Sequence, residues 1–296
     1  MRELVVISGK GGTGKTSILA SFAVLAGQAV LADCDVDAAD LHLVLTPTVR
    51  RREVFRSGNE AVIRPELCRG CGKCAELCRF AAVLSDFEDP RGDGSSRYRI
   101  DATACEGCGV CVDHCPHGAI EFPERVCGEW FVSDTRCGPL VHARLHPAAE
   151  NSGKLVAAVR QEARRLAESE GFDRVLVDGP PGIGCPVISS VTGASAVLAV
   201  SEPTVSGEHD LSRVLELCRH FGIPAAVCVN KWDLNPQMTR RIEGKAAAGG
   251  AGVLGRIPYD RAVTAAQLEA RAVVELGGPA AAAIRAVWER FKETGE

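Results

Sequence analysis

The residues best equipped for chemistry are cysteines. Cys68, Cys71, Cys74 and Cys78 follow the spacing C-x2-C-x2-C-x3-C; Cys105, Cys108, Cys111 and Cys115 repeat it, and Pro116 completes the string CEGCGVCVDHCP. Between Cys78 and Cys105 lie 26 residues. Two-residue gaps let one tight loop aim three soft thiolates at a single centre, with backbone N–H groups left to bond its sulfides. That chemistry is iron–sulfur ligation. Two four-thiolate zinc sites are the alternative, and the doubled x2-x2-x3 spacing favours iron. A second constellation, GKGGTGKT at 9–16, fits G-x-x-x-x-G-K-S/T. Gly9, Gly11, Gly12, Thr13 and Gly14 would turn backbone N–H groups toward phosphate oxygens. Lys15 would meet the β- and γ-phosphates, Thr16 would hold Mg²⁺, and Ser17 would join the nucleotide-binding set.

These residues need a frame. ELVVIS (3–8) and AVLAD (29–33) read as buried strands around the helical segment KTSILASFAVLAG, a β-α-β unit. From about residue 153 the rhythm resumes. The helix GKLVAAVRQEARRLAESEG precedes the strands DRVLVD, AVLAVS, PAAVCVN and AGVLGRIP, with a helical pattern after each of the last three. Strands without alternation, separated by helices, imply a mostly parallel sheet with helices on both faces. Between residues 65 and 123 the rhythm stops, and cysteine, glycine and short polar turns take over. The expected fold is therefore α/β: a discontinuous P-loop domain over 1–64 and 124–296 with a small α+β domain inserted at 65–123. Residues 126–146 read as a β-hairpin returning to the main domain. The run Arg50-Arg51-Arg52 reads as a solvated loop, and residues 279–296 as an amphipathic last helix.

The 296 residues are 46% hydrophobic and carry a net charge of −4, which gives no global support for nucleic-acid binding. No apolar run reaches the roughly 20 residues that span a bilayer. The start MRELVVISGKGG enters a strand directly, so no secretory leader is expected. Fourteen cysteines, eight of them at metal spacing, then point to a reducing cytoplasm rather than a disulfide framework.

Lys10 extends the phosphate motif to K-G-G-x-G-K-S/T, which resembles the deviant P-loop of the MinD, ParA and nitrogenase iron protein superfamily. The resemblance implies that Lys10 crosses a dimer interface to the partner's nucleotide. It therefore implies a homodimer, or a paralogue heterodimer, in the ATP-bound state. In DCDVDAADLH (33–42) it assigns to Asp35 the switch I role of orienting the attacking water. Asp37 and Asp40 match less well, and Asp40 also reads as a helix cap. Asp178, ending RVLVD, resembles the Walker B acid of the Mg²⁺ shell, and Gly179 to Gly184 the switch II loop. Asn230 in VNKWDLN is assigned to adenine. Asp233 stays open, because NKxD in a G protein reads guanine. Pro258 in IPYD would lie beside the base. ATP is expected, with GTP the alternative.

The cysteine octet resembles a bacterial two-cluster ferredoxin. The resemblance gives Cys68, Cys71, Cys74 and Cys115 to one 4Fe–4S cluster, and Cys105, Cys108, Cys111 and Cys78 to the other. Arg79 stands where proline usually follows the fourth cysteine. Six thiols remain. Cys218 and Cys228 read as buried, and Cys34 is ambiguous beside switch I. Cys185 stands seven residues after Asp178, as a cluster-ligating cysteine does in the nitrogenase iron protein. That implies an additional dimer-bridging cluster, with Cys127 or Cys137 as second ligands; a packed thiol fits equally. The functional expectation is an ATPase that gates electron transfer to a redox partner protein. An Mrp-like iron–sulfur carrier or scaffold is the alternative.

Overall fold

The computed structural model describes residues 1–86, 97–146 and 152–294. The chain forms two compact units, one of Met1–Glu53, Glu129–Leu145 and Ser152–Glu296, the other built on Val54–Gly128.

The first unit opens with β1 (Arg2–Ser8), α1 (Lys15–Ala26), β2 (Val30–Asp33) and α2 (Leu41–Leu45), and β3 (Thr48–Asn59) runs from it into the second unit. The second unit holds β4 (Val62–Ile63), α3 (Lys73–Leu77), β5 (Val83–Asp86), β6 (Arg97–Ile100), α4 (Val110–Asp113) and β7 (Ile120–Glu121). The hairpin β8 (Glu124–Thr135) and β9 (Gly138–Leu145) returns to the first unit. There follow α5 (Ser152–Glu170), β10 (Arg174–Pro181), α6 (Cys185–Val191), β11 (Ala196–Ser201), α7 (Val205–His220), β12 (Ala225–Asn230), α8 (Pro236–Ala248) and β13 (Gly252–Ile257). The chain ends with α9 (Arg261–Leu268), α10 (Val273–Leu276) and α11 (Pro279–Phe291); residues 295 and 296 lie outside the described residues.

Nine strands form one sheet in the order β13-β12-β11-β1-β10-β2-β9-β8-β3. The pairs β1/β10, β1/β11, β10/β2, β11/β12, β12/β13 and β2/β9 are all parallel. Every residue of β2 and β11 is buried, as expected for apolar runs covered on both faces. Phe22 of α1 is fully buried, with ring centroids 5.1 Å from Trp288 and 6.0 Å from Phe291, which fixes α1 against α11. Such aromatic pairs contribute about 0.5–1.5 kcal/mol each beyond area burial. Buried Glu3 accepts from Arg160 Nε (2.6 Å) and Arg164 Nε (2.7 Å), while Arg160 Nη1 donates to Ser189 O and Thr192 O. This network holds α5 to β1 and to the end of α6. Removing Glu3 would leave the buried Arg160 guanidinium without its carboxylate, at a cost of about 3–5 kcal/mol.

Three local readings need correction. Arg50, Arg51 and Arg52 lie on β3 rather than in a loop, and each is neutralised: Arg50 by Asp134 and Glu170, Arg51 by Glu162, Arg52 by Glu129. The strand after α5 continues past Asp178 to Pro181. Cys185 opens a seven-residue helix rather than sitting in a loop, since Gly184 and Pro186 supply a helix start.

In the second unit, β4 pairs with β7 and β5 with β6, both antiparallel. Ala61, Ile63 and Ile120 form its small core, against which Cys68, Cys74, Cys105, Cys111, Cys115, Tyr98, Ile100 and Phe122 pack.

Candidate nucleotide and thiolate sites

The strand ends of a parallel sheet converge where side chains can reach a ligand beyond their carboxyl edge. Here Ser8, Asp33, Asp178, Asn230 and Ile257 occupy or adjoin those ends. A cleft of about 590 Å³ opens there, lined by the P-loop from Gly11 to Ser17 except Thr13, with Asp35, Asp37 and Asp40 on one side and Asn230, Pro258 and Tyr259 on another. The volume suits a drug-sized or nucleotide-sized ligand. Gly14 is left-handed (φ +92°), and a Cβ there would lie 2.4 Å from Asn230 Nδ2, so only glycine fits. No side chain caps α1, which leaves its first N–H groups for an anion.

Three charged groups and one hydroxyl organise the cleft and the strand end behind it. Thr16 Oγ1 donates to Asp178 Oδ2 at 2.6 Å. Asp178 is fully buried, and its Oδ1 is without a hydrogen-bond partner. Burial pushes its carboxyl up to about 6, against the opposing pull of Lys15 and Thr16. An orphaned carboxylate oxygen beside a threonine hydroxyl is a donor set that fits a hydrated divalent cation. Lys15, almost buried, lies 3.5 Å from Asp35 Oδ2. Asp35 is raised by its own burial, with Lys15 opposing.

Asp33 belongs to no motif read from the sequence. It is fully buried and stands beside Asp178 in the parallel register. Its Oδ1 accepts from Asp35 N (3.2 Å) and its Oδ2 from Leu41 N (3.1 Å), so one carboxylate spans the acidic loop. Burial first, then the charge of Asp178, raises its carboxyl well above the ordinary range. The signal available was an acid ending an apolar strand two residues before Asp35. Asp40 sits at the cap position of α2 but makes no side-chain cap.

Base-side residues are engaged with the protein itself. Asn230 Nδ2 donates to Thr13 O (2.7 Å), and its Oδ1 accepts from Lys231 N (3.0 Å). Lys231 is left-handed (φ 54°), and its Nζ donates to Gly12 O at 3.0 Å. Asp233 Oδ1 accepts from Tyr259 N at 2.7 Å and fixes the loop that carries Pro258. Lys10, expected to reach a second chain, is paired with Glu202 of its own chain at 2.5 Å.

The eight patterned cysteines all lie in the second unit as free thiols. One small cavity is lined by Cys68, Cys71, Cys74 and Cys115; another is lined by Cys78, Cys105, Cys108 and Cys111. The two repeats share a backbone. Gly70 and Gly72 in the first and Gly107 and Gly109 in the second are all left-handed, and a short helix follows each pair. Burial raises the Cys74 thiol, and Cys68 and Cys71 add to it; burial likewise raises Cys111, with Cys105 and Cys108 adding. Among the described residues no group of three or more His, Cys, Asp or Glu side chains is drawn into the spacing of a bound ion's ligand shell.

Of the other thiols, Cys34, Cys218 and Cys228 are buried, and burial lifts Cys218 to about 11 and Cys228 to about 12. Cys185 is exposed. Cys127 and Cys137, considered as second ligands to it, are interior side chains: Cys127 Sγ donates to Ser57 O (3.2 Å), and Cys137 belongs to the apolar core. Among the described residues no helix is long and apolar enough to cross a membrane.

Comparison with known proteins agrees with this architecture. The chain is 33% identical over 245 residues to an uncharacterized protein, MJ0578, of Methanocaldococcus jannaschii, covering 79% of each chain. It is 23% identical over 267 residues to MJ0579 of the same organism, covering 79% of this chain and 83% of that one. The fold is similar to the septum site-determining protein MinD complexed with Mg-ADP from Pyrococcus horikoshii, with a TM-score of 0.59 at 17% identity, covering 99% of this chain and 96% of the other. Residues 4–273 match the CbiA family, the CobQ/CobB/MinD/ParA nucleotide binding domain. With its P-loop, its parallel sheet and its acid-lined cleft, the chain belongs to that family.

Proposed function

We propose that this protein hydrolyses ATP and uses the cycle to gate electron transfer, through two 4Fe–4S clusters in its second unit, to a protein partner. The cleft lined by Lys15, Thr16 and Asp35, with Asp178 buried behind Thr16, carries the reading. In it, Lys15 neutralises charge on the transferred phosphoryl group, and Asp35 orients the water that attacks. Thr16 and Asp178 would hold Mg²⁺, which supplies charge neutralisation when bound. ATP is favoured over GTP because Asn230 lines the cleft, whereas Asp233, the carboxylate that would read guanine, does not line it and accepts from Tyr259 N through one oxygen. Asn230 keeps an N–H and a lone pair for adenine.

For the clusters, the support is chemical. Four thiols around each of two cavities form the donor set of a 4Fe–4S cluster, in the crosswise grouping that the ferredoxin resemblance implies. The walls are apolar, with Ile63, Ala119 and Ile120 at one cavity and Ala61, Ala82 and Val83 at the other. Iron–sulfur potentials span about −700 to +450 mV, and the low end of that range suits a relay. The nucleotide-bound state is a dimer of two copies, or of this chain with a paralogue. Cys185 is exposed, as a thiol shared between two copies must be. The interior positions of Cys127 and Cys137 weaken both the bridging cluster and the carrier reading, each of which needs a second accessible ligand.

The deciding experiment uses anaerobically reconstituted, dithionite-reduced protein mixed with an oxidised ferredoxin as acceptor. Electron transfer is expected to change by about tenfold or more between the ATP and ADP states; a switch of this kind spans several kcal/mol. Iron appearing on an apo-acceptor instead of electrons would replace the gating reading with the carrier.

A pH dependence follows from Asp178. Its carboxyl lies above the ordinary 3.8, at about 6, so the metal-free folded state binds this proton more tightly than the unfolded state does. The group therefore favours folding at low pH, and that contribution fades as pH rises from about 4 through 6. A cation needs the ionised form. Stabilisation by Mg²⁺ with ADP, read as the rise in Tm, should be small at pH 5 and larger at pH 7. An equal rise at both would remove Asp178 from the cation site.

A further inference from the structure

Lys10 has no donor to spare. An ammonium carries three N–H groups, and Lys10 Nζ has three acceptors on its own chain: Glu202 Oε1 at 2.5 Å, Ser206 Oγ at 3.1 Å and Thr204 Oγ1 at 3.4 Å. All three acceptors stand on the short stretch from the end of β11 into the first turn of α7. The lysine is folded back and fully coordinated rather than left free in solvent. It can reach another anion only by leaving the whole cradle.

Glu202 is built for that exchange. Its side chain is 16% exposed, so a bare carboxylate there would be costly. It has a second cation, Lys231, whose Nζ lies 3.3 Å from Oε2 and also donates to Gly12 O. When Lys10 leaves, Lys231 remains and the charge is not stranded. Burial alone would raise the Glu202 carboxyl; the bond from Lys10 and the charge of Lys231 outweigh it and hold the group below its ordinary value. Val205, between the two hydroxyl acceptors, is 74% exposed, so the cradle lies on an open surface that a second molecule can approach.

We propose that Glu202 is a positioning residue that latches Lys10 on its own chain, so that pairing of two nucleotide-loaded copies requires a phosphate to outcompete this carboxylate. The inference rests on the reading of Lys10 as the lysine that serves a second copy's nucleotide. An exchange of one anion for another leaves the ammonium satisfied at both ends. The resting state is therefore an ordered alternative to the paired one, and Glu202 sets the balance between them. Before nucleotide is loaded no phosphate competes, and the latch holds.

The test is sedimentation velocity on the full chain with ATP and Mg²⁺, comparing wild type with Glu202→Gln. The amide keeps the shape and removes the charge. It should lower the dimer dissociation constant by about tenfold, as expected for loss of a partly buried charge pair from the competing state. Lys10→Ala should abolish ATP-dependent pairing with or without Glu202→Gln. Ser206→Ala, which removes only a surface hydroxyl from the cradle, should shift the constant in the same direction by less. Thermal melts by circular dichroism check that each variant is folded. A wild type that pairs with ATP and a Glu202→Gln variant that pairs equally or more weakly overturns the latch while leaving the reading of Lys10 standing. Failure of both to pair overturns that reading and the latch with it. Pairing by the variant alone supports both, with a stronger latch.

Discussion

Lys15→Ala is expected to lower kcat/KM for ATP hydrolysis by about 10³-fold, a loss visible in a steady-state phosphate-release assay. Lys15 opposes both Asp35, which lines the cleft, and Asp178 behind it. Removing a preorganised charge aimed at the reacting phosphoryl group costs about 10²–10³ by itself. A further loss comes from the carboxylates. Without Lys15, two buried acids face an incoming anion with less opposing charge, so nucleotide binding weakens along with turnover. The fold should survive, because Lys15 occupies the first turn of α1 while the packing that holds α1 comes from Ile18, Leu19 and Phe22. A variant that is folded yet hydrolyses ATP within threefold of wild type would place the reacting phosphate somewhere other than this loop.

The second large effect concerns the cysteines and their crosswise grouping. Reconstituted protein should hold about eight irons per chain, four for each cluster. Cys78→Ser with Cys108→Ser removes two ligands from one cavity and should leave about four irons. Cys115→Ser with Cys108→Ser removes one ligand from each cavity and should destabilise both clusters, taking iron well below four. If the clusters followed chain order instead, the results would reverse: Cys78 and Cys108 would then belong to different sites. Colorimetric iron analysis and absorption near 400 nm decide between them. Zinc in place of iron would refute the clusters outright.

Much of the nucleotide site was legible in the sequence. GKGGTGKT follows a strand and opens a helix, and that context is local: four glycines, two lysines and two threonines in eight residues define loop, charge and helix start together. Asp178 was legible because it ends an unbroken apolar run. Asp33 was not. It looked like one of four acids in DCDVDAADLH, and its role appears only when β2 is laid beside β10, where its carboxylate is buried and bonded to both ends of the loop. Asn230 carried a motif signal for a base reader. The structure gives it the carbonyl of Thr13, because the left-handed Gly14 admits the amide against the P-loop. Arg50-Arg51-Arg52 looked like a solvated run because a one-dimensional reading cannot see Asp134, Glu162 and Glu170 arriving from β8 and α5.

The sequence by itself determined whatever depends on short-range geometry. It specified the phosphate loop, the alternation of buried strands and helices that makes a parallel α/β sheet, and the repeated thiol spacing. Propensity, turn chemistry and ligand spacing act over a few residues, and so they can be read there. Only the tertiary structure decided the long-range pairings. It separated the eight patterned cysteines into two cavities, buried Cys127 and Cys137, braced the acidic loop on Asp33, and set Lys10 on Glu202, 192 residues away in the chain. The physical reason is that burial and charge pairing depend on which segments the sheet order brings together, and residue type alone carries no record of that order.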